Sequence, residues 1–77
     1  MKPERFGLNF GVFSQPIRAQ LRAQNLDITD RDARYFQREA AAINLLRIHS
    51  ILSDSEAHRA NQRLIKQIGK KAERISP

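Results

Sequence analysis

Hydrophobic and polar positions along the chain divide it into one extended stretch and three helical ones. Between Phe6 and Phe13 the apolar Phe6, Leu8, Phe10 and Val12 alternate with Gly7, Asn9 and Gly11. A period of two predicts extended backbone. From Thr29 to Leu52 the period changes to that of a helix. Placed at about 100° per residue, Phe36, Ala40 and Ile43 share one face, while Leu45, Ile48 and Leu52 fall nearly opposite. Tyr35, Ala42 and Leu46 fill much of one flank between them. A surface helix carries a single apolar stripe, so a helix that is apolar on two sides is expected to have neighbours on both. This segment therefore reads as a central helix clasped by the rest of the chain.

The flanking helices are bounded by capping signals. Ser14-Gln15-Pro16 starts the first, with Ser14 as N-cap and Pro16 in the first turn, where N–H groups lack helical partners. Ile17 and Leu21 form its narrow apolar edge, and Asn25 supplies a left-handed stop before Leu26 and Ile28 dock the connection. Thr29 with Asp32 opens the central helix as a capping box in which Asp replaces the usual Glu. Asp30 and Asp32 also suit the positive end of the helix dipole, so this close carboxylate pair reads as capping and not as acid–base chemistry. Ser53-Asp54-Ser55-Glu56 is an S-x-x-E capping box for the last helix, with Leu52 placed to staple against Ala57. Ala57, Ala60, Leu64, Ile68 and Ala72 make the apolar stripe of that helix.

The expected fold is all-α: a small three-helix bundle over residues 14–77, with helices at about 15–24, 30–49 and 54–74, preceded by an extended arm at 1–13. The expected core is Phe10, Ile17, Leu21, Ile28, Phe36, Ala40, Ile43, Leu45, Leu46, Ile48, Leu52, Leu64 and Ile68. With 77 residues there is one domain, and with no cysteine there is neither a disulfide nor a thiolate site. No apolar run approaches the roughly 18 residues of a membrane span, and Gly7, Asn9 and Gly11 break the continuity a signal peptide needs. A cytoplasmic setting is expected.

Residues 43–68 resemble the SHOCT hairpin, a short bacterial helical module of the pattern L-x(n)-G-I-I-T-x-x-E-F-x(n)-L-L. Leu46, Ile51, Leu52, Ser53, Glu56, Leu64 and Ile65 match it, whereas Ser50 replaces its turn glycine and Ala57 its aromatic residue. The resemblance covers a third of the chain. It implies an interaction or oligomerisation module without catalysis.

Charge adds a second surface. The chain holds 14 Lys and Arg against 8 Asp and Glu, a net charge of +6, and such a balance attracts polyanions. Arg59, Arg63, Lys66, Lys70 and Arg74 fall on the side of the last helix away from its apolar stripe, forming a candidate polyanion-binding ridge. His58, Arg59, Asn61, Gln62 and Arg63 at the start of that helix are types able to read base edges. The long preceding helix is unlike the usual helix-turn-helix, and the ridge lacks aromatic residues for stacking single strands.

The sequence motifs point to no other chemistry. His49 and His58 are nine apart with no third ligand nearby, no Ser stands in a nucleophile-elbow context, and no glycine lies in a phosphate loop. No enzyme activity, cofactor, metal or small-molecule substrate is expected. The leading expectation is a small regulator or adaptor, of a size that fits a bacterial, phage or mobile-element origin. It would bind a protein partner or itself through an arm presenting Phe6, Leu8, Phe10 and Phe13, through the basic ridge, or through both. The alternation fits first an arm laid across its own helices to enlarge the core, and second one inserted as a strand into a partner or a dimer mate. Nucleic acid is the alternative partner.

Overall fold

A computed structural model describes residues 7–10 and 16–75. It contains three helices and a short ribbon: α1, Ile17–Ala23; β1, Leu26–Asp27; α2, Asp30–Ile48; α3, Asp54–Lys71; and β2, Glu73–Arg74. The fold is mostly helical with a two-stranded sheet. Helices α2 and α3 pack together as a hairpin, α1 packs on α2 and on β1, and the whole measures 43 × 20 × 18 Å.

Local chemistry accounts for each boundary. α1 starts at Ile17, because Pro16 is extended (φ −52°, ψ 139°) and occupies the cap position without a side-chain bond. The unpaired Ile17 N–H is instead met across the core by Gln37 Oε1 of α2, at 2.7 Å. The expected Ser14 cap lies outside the described residues. α1 stops at the left-handed Asn25 (φ 63°), as its sequence signal predicts, and Asn25 N–H donates to Arg22 O. Thr29 caps α2 by accepting from Asp32 N–H at 3.1 Å. Both halves of the Ser53–Glu56 capping box are formed at the start of α3, at 3.1 and 3.0 Å.

Between α2 and α3, Ser50 takes φ 59°. Ile51 N–H donates to Leu46 O and Ser50 N–H to Arg47 O, which is a Schellman closure with serine where glycine is usual. α3 ends at Lys71 and not near residue 74, because Ala72 turns extended (φ −68°, ψ 141°) and is fully buried. The chain then runs antiparallel to β1, pairing Leu26 with Arg74 and Asp27 with Glu73, and Ile75 N–H donates to Asn25 O. Gly69 stays inside α3.

Ile17, Leu21, Leu26, Ile28, Phe36, Ala40, Leu64, Ile68 and Ala72 make one core cluster, and Leu8, Phe10, Ala33 and Ile43 pack against it. Four expected core residues are neither in it nor packed against it. Leu45, Leu46 and Ile48 are exposed, at 56%, 37% and 51%, and Leu52 is half-buried. α1 and α3 both lie toward the Phe36 side of α2, so one chain supplies only one of the two neighbours that the pattern of α2 calls for. Leu26, Ala57 and Ala72 are buried in addition to the expected set. Leu26 and Ala72 are drawn inside by the ribbon.

Candidate interaction surfaces

The arm meets the helices through main-chain atoms. Gly7 N–H donates to Gln24 Oε1 at 3.0 Å, and Gln24 Nε2 donates back to Gly7 O. Asn9 N–H donates to Gln20 Oε1, and Gln20 Nε2 donates to Asn9 O at 3.0 Å. Two carboxamides one helical turn apart thus hold two alternate residues of an extended segment, much as a neighbouring strand would. The intervening Leu8 and the following Phe10 are half-buried against the core. Of the candidate binding arm, then, Leu8 and Phe10 are docked on their own helices, and Phe6 and Phe13 lie outside the described residues. Two glutamines spaced i, i+4 beside an alternating segment were the available sign of this arrangement.

The larger uncovered apolar surface belongs to α2 and the turn after it. Tyr35, Leu45, Leu46, Ile48 and Ile51 are between 37% and 66% exposed. Tyr35, Ala42 and Leu46 line a groove of about 280 Å³ whose opposite wall is Ala60, Arg63 and Gln67 of α3. The Tyr35 hydroxyl donates to Glu39 Oε1 at 3.2 Å, and this bond raises the tyrosine pKa. Leu45 and Ile48 look outward beside Ala41, which is also exposed. Sequence periodicity marked these positions as apolar and in need of cover. It could not show that the cover lies outside the chain.

Arg59, Arg63, Lys66 and Lys70 are exposed along one side of α3. Among the described residues none of these four forms an ion pair. Arg74 is separated from that row: it is exposed on β2, beyond the helix end. It lines a cavity of about 620 Å³ with Asp32, Lys70, Lys71 and Glu73, so both signs of charge face that space.

Basic residues of α1 are engaged differently. Arg18 Nε donates to Asp27 Oδ1 at 2.9 Å, Arg22 Nε reaches Asp27 Oδ2 at 3.3 Å, and Arg18 also pairs with Asp30. The Arg18 hydrogen bond holds the Asp27 carboxyl below the usual carboxylate range. Partial burial opposes that shift, and the Ile28 N–H and Arg22 reinforce it. This cluster ties α1 to the start of β1 and α2 and serves the fold. Among the described residues no three His, Asp or Glu side chains gather as metal ligands, and no helix is long and apolar enough to cross a membrane. Comparison with protein-family models, with curated proteins and with solved structures gives no match to this chain.

Proposed function

We propose that the chain is a non-enzymatic, cytoplasmic interaction module: a three-helix bundle with a docked N-terminal arm that binds a protein partner or a second copy of itself through the open face of α2. The observation that carries this reading is the exposure of Leu45 (56%), Ile48 (51%) and Ile51 (66%) in a chain of this size. Isolated surface leucines are ordinary, but a contiguous apolar patch marks a contact surface. The likeness of residues 43–68 to a SHOCT hairpin agrees with it. Leu8 and Phe10 pack on their own helices, which favours α2 over these two as the contact surface.

The test is affinity capture from cells with and without nuclease, comparing the native chain with a Leu45→Lys/Ile48→Lys variant of unchanged helicity. Protein captured by the native chain after nuclease treatment should be lost by the variant. Equal capture by both would remove the α2 face from consideration.

The row Arg59, Arg63, Lys66 and Lys70 supports polyanion binding as a second reading, because these exposed cations are unpaired among the described residues. If they contact phosphates, log affinity should fall linearly with log salt, and each Lys→Gln or Arg→Gln change should reduce that slope by about one unit. Absence of binding to any duplex or single strand at low salt would eliminate it.

A further inference from the structure

The groove between α2 and α3 continues beyond its apolar part. Tyr35 also borders a second space, of about 610 Å³, lined by Arg31 and Asp32 of α2 and Lys71 of α3. The two make one trough along the helical hairpin, from Leu46 near the turn to Arg31 near the ribbon. At 1.5 Å per residue that is about 22 Å, or about four helical turns. α2 and α3 supply its walls, with Thr29 at one end, and no lining residue comes from α1.

Floor and walls differ in character. Ala42, Ile43, Leu46, Ala60 and Leu64 are apolar, and the two alanines, one on each helix, leave room for an inserted side chain. The α3 wall is wholly basic. From Ala57 to Ala72 the chain has five Lys or Arg and no Asp or Glu. Arg63 stands in the groove wall, and Arg59, Lys66 and Lys70 fall within about 60° of it around the helix. Among the described residues Arg31 and Lys71, like that row, form no ion pair. The α2 wall is mixed: Asp32 and Glu39 stand beside Arg31, and Glu39 accepts from the Tyr35 hydroxyl.

We propose that this trough takes an amphipathic helix of another protein, about four turns long, with its apolar stripe on the floor and a row of carboxylates along α3. The site is separate from the open face of α2, since Leu45, Ile48 and Ile51 line neither space. Arg59, Arg63, Lys66 and Lys70 recur at spacings of four, three and four. Acidic residues at the same spacings on a helix lying alongside meet them one for one. The carboxylates of the α2 wall make the opposite flank of the occupant free of acid. A nucleic-acid duplex suits the trough less well. Asp32 and Glu39 repel its phosphates, and its charged surface offers nothing apolar to the floor.

Fluorescence anisotropy with a labelled helical peptide of about 16 residues and the full-length protein tests this. The peptide carries leucine along one stripe, glutamate along one flank and glutamine elsewhere. It should bind with a dissociation constant of about 1–100 μM. Ala42→Trp, which fills the floor from an exposed position, should weaken binding about 10-fold or more with helicity unchanged. Arg63→Glu/Lys70→Glu should weaken it by a similar factor, and a peptide with lysine in place of glutamate should regain affinity for that variant. Leu45→Lys/Ile48→Lys should leave peptide binding unchanged, so failure of the open face as an interface would not touch this site. Equal binding of a peptide with serine in place of leucine would overturn the proposal in favour of a polyanion ridge. Tighter binding of a duplex of about 20 base pairs, lost in Arg63→Glu/Lys70→Glu and kept in Ala42→Trp, would do the same. Peptide binding that is indifferent to Ala42→Trp, or absent up to about 1 mM, would also overturn it.

Discussion

Ser50 and Ser53 sit three residues apart in the same turn and do opposite things for it. Ser53 accepts the Glu56 N–H, while Glu56 accepts the Ser53 N–H and has its carboxyl pKa lowered by that bond. Removing the hydroxyl leaves a helical N–H without its partner, so Ser53→Ala should cost about 1 kcal/mol. A domain of this size should then melt about 4–8 °C lower. Ser50 instead holds a left-handed backbone, which a Cβ disfavours. Ser50→Gly should raise stability by about 0.5–1 kcal/mol, because the native conformation suits glycine and the Schellman bonds need no side chain. Chemical denaturation reads both changes, and they should have opposite signs. These capping residues were legible in the sequence, since S-x-x-E is a local chemical instruction and Asn25 a local stop. The tie between Ile17 N–H and Gln37 was not, because a cap that arrives from another helix leaves no spacing to read.

Among the elements, α2 shows where periodicity informs and where it misleads. Its 19 residues carry apolar side chains on both sides, and the pattern correctly placed Phe36 and Ala40 inside. It also assigned Leu45, Leu46 and Ile48 to the core, because a period reports which residues avoid water and not which molecule removes them from it. The difference has a direct measure. Ile68 is completely buried, so Ile68→Ala should cost about 2–5 kcal/mol by leaving a cavity. Ile48 is half open, and Ile48→Ala in the monomer should change stability by less than about 1 kcal/mol. Comparable losses from the two would mean that Ile48 is covered within one chain. The end of α3 was misread for a different reason. Lys71 to Arg74 continues the helical pattern of charges, and only the pairing of residues 73–74 with 26–27 draws the chain out of the helix. Two-residue strands are too short to impose a period of their own.

The whole molecule is held at one end by charge and by the ribbon. Asp27 accepts from Arg18, Arg22 and its neighbour Ile28, beside the Leu26–Arg74 pairing. Its carboxyl is held below the usual range in the folded state, so the unfolded chain binds the proton more readily. The stabilisation is therefore complete above the unfolded pKa and is lost as pH falls through the folded value, that is, below about pH 4. Asp27→Asn should lower stability at neutral and alkaline pH without changing its slope there, and should flatten the acid limb, as thermal melts across pH would record.

The ribbon joins Leu26 to Arg74 and Asp27 to Glu73, pairs 48 and 46 residues apart in sequence, whereas the bonds of α2, α3 and their turn are local. Contacts between distant residues form late, since their loop-closure entropy must first be met. The helical hairpin should thus assemble first and the two strands zip together last. In the native state the same order should run backwards: the strands part before the hairpin does, and Leu26 and Ala72 are the buried residues that water then reaches.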